Sequence, residues 1–285
     1  MANANDPYTV LIIGNGFDLN QGFKTGYKDF MESDFFKSIV ENNKLARFLK
    51  SKQDASLTDN HKSLRWIDIE KELKQYSLFS EHRQGMRDDL KNDFIELKQK
   101  LVTYIKSIDT TKINKEAKSF EIIQDMVDKS SAYLILDFNY TDTSEQILKL
   151  LVPPDEIKNR IIKVHGSVQN ENIIFGVEDG ADLVLRDHDF LRKSHHLYFP
   201  AVDVFNNLQL PSKIIIFGHT LGITDTFYFE AYFTSTSEQG TRKDIEVYYH
   251  SEKGMDELFS RLRELTGENL TGLRMNNNFK PIKVN

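Results

Sequence analysis

The sequence predicts an α/β protein: a mainly parallel sheet flanked by helices, with a helical insertion after the first strand. Three observations carry this. Short apolar runs suited to burial on both faces recur at Tyr8–Ile13, Ala132–Asp137, Arg160–Val164, Lys213–Phe217 and Ile245–Tyr249. Segments with helical spacing lie between them. The first run enters a Gly14-Asn15-Gly16 turn, and the fourth repeats that strand-to-glycine grammar at Gly218.

The first run and its turn organise the chain. Glycine at 14 and 16 lets the backbone turn tightly and approach a ligand without a Cβ in the way. A helix starting there would offer N–H groups and a positive dipole end to a pyrophosphate. The third glycine of a dinucleotide fingerprint is missing, because Phe17-Asp18-Leu19 follows. The plain alternative is an ordinary strand-to-helix turn. Gly22 and Gly26 then suggest an irregular, ligand-facing loop before helical spacing begins at Asp29.

From about residue 31 to 130 the pattern is helical and charged. Phe30, Phe35 and Phe36 are expected to pack inward. Leu90, Phe94, Leu97, Leu101 and Ile105 recur every three to four residues, the apolar stripe of an amphipathic helix. Trp66 and Glu70 are one helical turn apart and share a face. Glu70 then either points a carboxylate into a site walled by Trp66, or is a solvated glutamate beside a core tryptophan, the reading the residue types favour.

The later strands each end in polar residues, at the rim where open α/β sheets bind ligands. The second exits into Phe138-Asn139-Tyr140-Thr141-Asp142, and Asp142 or Thr143 is placed to cap the helix from Ser144 to about Leu151. Asn139 lies upstream of that cap, so capping does not explain it. The third strand exits into His165-Gly166. An imidazole there suits general-base work near neutral pH, against a plain loop hydrogen bond as the alternative. Asn172–Phe175 resembles a short strand before a turn. His188, His195 and His196 lack the carboxylate or cysteine set that would complete a metal site, and no metal is expected. The fourth strand exits into Gly218-His219-Thr220, where Thr220 can offer a hydroxyl to a ribose or phosphate. Asp225 either caps the following aromatic helix or holds a ribose hydroxyl. A helix from about Met255 to Leu265 follows the fifth strand, and Gly267–Asn285 reads as loop or partly ordered. The expected organisation is therefore a core of 1–30 and 131–265, a helical insertion of 31–130, and a tail of 266–285.

Composition narrows the function. The 285 residues suit one large domain or two small ones. A formal net charge of -6 exerts no broad pull toward nucleic acid. The absence of cysteine removes disulfides, thiol nucleophiles and cysteine-ligated zinc together. No apolar run approaches the ~20 residues of a membrane helix, and the N-terminus lacks a secretory pattern. A cytoplasmic protein is expected.

Taken in order, these motifs resemble the AbiH family, bacterial abortive-infection proteins of anti-phage defence. The resemblance rests on Gly14-Asn15-Gly16-Phe17-Asp18 with Thr25 and Tyr27, Trp66-Ile67-Asp68-Ile69-Glu70, Phe138-Asn139-Tyr140-Thr141-Asp142, His165-Gly166, Ile216-Phe217-Gly218-His219-Thr220-Leu221-Gly222 and Asp225. More distantly, the set is similar to sirtuin-like NAD-consuming domains, which implies a Rossmann-like, sirtuin-like sheet. That similarity implies that His165 is the general base and that Asn139 orients the nicotinamide ribose and attacking water. Gly14, Asn15, Gly16, Phe17, Asp18, Thr25, Thr141, Asp142, Gly218, His219, Thr220 and Asp225 would then contact the dinucleotide, with Trp66 and Glu70 behind them. Two departures stand out: Thr141 and Thr25 each replace an aspartate of the sirtuin pattern, the first being the one that grips the nicotinamide amide. A sirtuin deacylase also carries a four-cysteine zinc module, which a chain without cysteine cannot build.

The resulting expectation is an NAD glycohydrolase of phage defence that cleaves the nicotinamide–ribose bond through an oxocarbenium-like ribose. NAD is its substrate rather than a cofactor, and Glu70 or Asp18 is a candidate to stabilise positive charge on the ribose. A phage-derived trigger fits the family, no membrane or nucleic-acid partner is expected, and a homo-oligomer is left open. The alternative is a nucleotide-binding sensor whose toxic action lies in a partner or another activity. A nuclease toxin fits less well, given the acidic balance and the lack of a metal cluster.

Overall fold

The computed structural model describes residues 8–60, 66–80, 86–178, 180, 181, 183, 186–240 and 242–284. The chain divides into two compact units, one of Met1–Phe23, Thr110–His165 and Pro200–Asn285, the other of Lys24–Asp109 and Gly166–Phe199.

The first unit holds a six-stranded sheet. Its strands are β1 (Tyr8–Ile13), β2 (Ala132–Asp137), β3 (Ile161–Lys163), β4 (Lys213–Phe217), β5 (Asp244–Tyr249) and β6 (Asn278–Lys283). The order is β3-β2-β1-β4-β5-β6 and every pairing is parallel, a Rossmann-like arrangement. The central strands are buried along nearly their whole length, as their unbroken Val, Leu and Ile content requires. The helix Lys118–Lys129 covers one face. Its Phe120, Ile123 and Met126, spaced by three, pack with Leu11, Ile13, Ile135, Ile215 and Phe217. The helix Thr226–Glu238 packs against the helices Ala201–Gln209, Glu252–Leu265 and Leu270–Asn276.

Three expectations change here. The segment read as a loop tail forms the helix Leu270–Asn276 and the strand β6. Its polar, Pro281-containing sequence lacks the apolar run of a central strand, but an edge strand tolerates both features. The bounds of core and insertion shift: residues 110–130 group with the sheet, because a parallel neighbour requires a crossover helix over the sheet face, whereas 24–30 and 166–199, expected in the core, group with the helical unit. The stretch Asn172–Phe175 is irregular rather than a strand. Ile173, Ile174 and Phe175 are buried by side-chain packing, and the nearest pairing is an isolated bridge between Val177 and Arg192.

The second unit is mainly helical, with Lys44–Asn60, Trp66–Ser80 and Met86–Lys106 its longest helices. The expected stripe is its core: Leu90, Phe94, Leu97, Leu101 and Ile105 are all buried. Phe94 stacks on Phe175 with centroids 5.6 Å apart. Phe30 and Phe36 are buried and Phe35 is half-buried. Among the described residues, no helix is long and apolar enough to cross a membrane.

Candidate functional site

Four strand ends share one rim of the sheet. Strand order reverses between β1 and β4, the position where open α/β sheets bind ligands. The ladder runs cleanly up to that rim. Ile13 lies opposite both Asp137 and Phe217. Beyond it, the Phe138 N–H donates to the Ile13 carbonyl at 3.0 Å and the Val164 N–H to the Asp137 carbonyl at 2.8 Å. Gly14, Asn139, His165 and Gly218 therefore leave the sheet side by side.

The glycines serve a different purpose from the one expected. Gly16 donates its N–H to the Gly218 carbonyl at 2.9 Å, Gly14 to the Phe217 carbonyl at 3.4 Å, and Phe17 to the Gly14 carbonyl at 2.8 Å. These amides are spent on protein carbonyls, so they do not form the anticipated pyrophosphate cradle. The glycines let two backbones touch. A Cβ on Gly16 would lie 2.7 Å from the Gly218 Cα, and one on Gly218, whose φ is +67°, would lie 2.3 Å from the Phe17 nitrogen. Phe17 also departs from its expected place against a ligand. It is fully buried in the core, edge-on to Phe217 at 6.1 Å.

The exits of β3 and β4 meet at one carboxylate. His165 Nε2 lies 3.0 Å from Asp225 Oδ1, and His219 Nε2 lies 3.5 Å from Asp225 Oδ2. All three side chains are about nine-tenths buried. Asp225 occupies the N-cap position of the helix Thr226–Glu238 but makes no capping hydrogen bond through its side chain. Its carboxylate faces the two imidazoles instead. The Leu221 N–H donates to His219 Nδ1 at 3.0 Å, which places that ring's proton on Nε2, toward Asp225. Leu221 adopts φ +51°, a conformation uncommon for leucine, and its carbonyl accepts from Arg261 Nε at 2.9 Å. Phe138 walls the pair: its ring centroid is 5.1 Å from that of His165 and 4.2 Å from that of His219. An acidic partner on Nε2 orients the His165 ring, strengthens Nδ1 as a base and stabilises the imidazolium once it forms.

A second buried network underlies the β2 exit. Asp137 Oδ1 accepts from the Asn139 N–H at 2.8 Å, and Oδ2 accepts from Ser144 Oγ at 2.6 Å and Lys163 Nζ at 2.8 Å. Lys163 also donates to the Thr141 carbonyl. Thr141 Oγ1 donates to Asp18 Oδ2 at 2.7 Å and accepts from Thr143 Oγ1 at 3.1 Å. Burial pushes the Asp18 carboxyl up to about 7; the nearby Asp137 charge adds to this, while the Thr141 and Thr143 hydroxyls and Lys163 oppose it. Two buried polar atoms in this network, Asp18 Oδ1 and Asn139 Nδ2, make no hydrogen bond.

The other expected residues are placed elsewhere or differently. Asp142 sits at the N-cap of Thr143–Leu151 without a side-chain cap bond; it accepts from Thr110 Oγ1 at 2.5 Å and Gln146 Nε2 at 2.7 Å. Thr220 is exposed, and Asn15 opens the short helix Asn15–Asn20. Thr25 is buried in the second unit. So is Glu70, whose carboxylate meets Lys193 Nζ at 2.9 Å with both side chains almost fully enclosed. Glu70 is thus neither the solvated residue nor the free site carboxylate considered from the sequence, because a buried charge needs a partner. The side chain of Trp66 lies outside the described residues.

The sequence reading missed Asp137, Lys163 and Ser144 as supports, and Phe138 as a wall. For Asp137, Phe138 and Lys163 the signal is position, at or just beyond a strand end; Ser144 lies in the first turn of the following helix. A separate groove of about 260 Å³ runs along Lys118–Lys129 over the sheet face, from Thr9 and Lys213 to Tyr248 and Ile282, and it contains none of these residues. Among the described residues, no group of three or more His, Cys, Asp or Glu side chains is placed to hold a metal ion.

None of the curated proteins matches the chain. A family model does, over residues 10–246, a span that includes the exits of β1, β2, β3 and β4, the His165, His219 and Asp225 side chains and the Asp18, Asp137 and Lys163 network. Described as "Bacteriophage abortive infection AbiH", it shows that the chain belongs to the AbiH family of phage abortive-infection proteins.

Proposed function

We propose that this abortive-infection protein is an NAD glycohydrolase that cleaves the bond between nicotinamide and ribose. The observation that carries the reading is the His165–Asp225 pair at the carboxyl rim of a parallel sheet, beside the point where strand order reverses. In the reaction the C1′–N bond breaks and its electron pair neutralises the pyridinium nitrogen. A water oxygen bonds to C1′ and gives its proton to His165 Nδ1. The leaving ring is cationic, so departure needs little acid help, and one base with one positioned water suffices. Asp225 holds the His165 ring by its Nε2–H and balances the imidazolium. His219 restrains the other carboxylate oxygen, and Asn139 positions the substrate from the neighbouring strand end.

The test is incubation of purified protein with NAD, with and without phage lysate as trigger, followed by chromatography for nicotinamide and ADP-ribose. Release of both, abolished in His165→Ala, supports the reading. Absence of both products under every trigger overturns it. Tight calorimetric binding of NAD or ADP-ribose without turnover would instead make the chain a nucleotide sensor.

A further inference from the structure

Buried polar atoms are almost always paired, so an unpaired one at a ligand-binding rim asks for a partner from the ligand. Two such atoms lie beyond adjacent strands here, one in the short helix after β1 and one at the β2 exit. Asp18 Oδ1 is an acceptor on a side chain only 1% exposed. Asn139 Nδ2 is a donor on a residue 6% exposed. Thr141 ties the two positions together: it follows Asn139 by two residues and donates to the other Asp18 oxygen at 2.7 Å. That bond holds one oxygen of the Asp18 carboxyl and leaves the other as the unpaired acceptor.

The geometry points to Asp18 and Asn139 as a carboxamide reader: Asn139 Nδ2 donates to the amide oxygen of the substrate ring, and Asp18 Oδ1 accepts from its NH2. This rests on the NAD reading and identifies which part of that substrate the β1 and β2 exits grip. One orphan acceptor and one orphan donor match the two ends of a primary carboxamide. A ribose hydroxyl both donates and accepts, so either atom alone would satisfy it. The pair also explains how a chain with Thr141 at the end of its Phe138–Thr141 motif keeps a carboxylate there: the threonine hydroxyl holds the carboxylate of Asp18 in place. Asp18 and Asn139 are thereby specificity-determining residues, and Thr141 is a positioning residue.

The discriminating ligand is nicotinic acid adenine dinucleotide, which differs from NAD in carrying a carboxylate for the carboxamide. The comparison is made at pH 8.5, where Asp18 is ionised, so that a carboxylate cannot accept a proton from it and is repelled. A site that hydrogen-bonds an N–H strongly rejects an analogue lacking it, so wild-type protein should prefer NAD by about 100-fold or more in kcat/KM. In Asp18→Asn, whose side-chain amide can donate, that preference should shrink to about 10-fold or less, mainly through KM for the acid analogue. Thr141→Val should shrink it partway. A thermal-shift measurement on wild-type protein needs no variant: nicotinamide should raise the melting temperature and nicotinate should not. Wild-type cleavage of NAD with no preference over the acid analogue, or a preference undiminished in a folded Asp18→Asn, overturns the carboxamide assignment and leaves NAD hydrolysis standing. Cleavage of neither dinucleotide, with no shift from nicotinamide, overturns both.

Discussion

His165 and His219 face opposite oxygens of a single carboxylate, that of Asp225, at 3.0 and 3.5 Å. The shorter contact is a hydrogen bond; the longer is an electrostatic restraint on the second oxygen. Phe138 packs against both rings, and so excludes water from one side of the triad. The arrangement gives the imidazole at the β3 exit an orienting partner supplied by the loop after β4.

A charge on Asp225 should therefore tune the base. Replacing Asp225 with Asn keeps the shape and removes the negative charge, which disfavours the protonated imidazole. Under the proposed NAD hydrolysis, turnover should fall by about 100-fold or more, the usual scale for losing an effective general base. The acid limb of the kcat/KM profile should also move to lower pH. Steady-state kinetics across pH 5–9 checks both. A fall in rate with an unmoved limb would assign Asp225 to structure alone.

The contact between the β1 and β4 exits should tolerate no side chain. Gly218→Ala combines a left-handed backbone with a Cβ placed 2.3 Å from the Phe17 nitrogen. Left-handed strain and overpacking together should cost at least about 3 kcal/mol. Gly240→Ala is the control, because nothing lies within 4 Å of its added Cβ, and it should change stability by no more than about 0.5 kcal/mol. Urea unfolding of the two variants measures the contrast; equal stabilities would contradict the backbone contact.

Asp18 should make stability depend on pH in a direction opposite to that of a paired carboxylate. Its folded value of about 7 lies above the ordinary aspartate range. Between about pH 4 and 7 the folded chain retains this proton while the unfolded chain releases it, so stability falls as pH rises through that window and levels off above it. The full effect is on the order of 4 kcal/mol. Asp18→Asn removes it, so the variant should gain stability relative to wild type between pH 5 and pH 8. Parallel unfolding curves at the two pH values would show that Asp18 is ionised throughout.

Local pattern was enough to read the five apolar strands, the helical stripe from Leu90 to Ile105, and the rim on which Asn139, His165 and Gly218 emerge. Each follows from short-range rules: side-chain periodicity, burial of β-branched runs, and the steric freedom of glycine. The tertiary structure alone decided which rim residues touch. Asp18 meets Thr141 across 123 positions of chain, and His165 meets Asp225 across 60. Those pairs depend on strand order, which places β2 and β4 on either side of β1, and no local spacing encodes that order. The edge strand β6 was hidden for a related reason: its lysines and Pro281 suit an edge and carry no buried-strand pattern. Burial then assigned the charges, sending Glu70 to Lys193 and leaving Asp18 with one oxygen unpaired, because desolvation is a property of the folded surroundings and not of the residue.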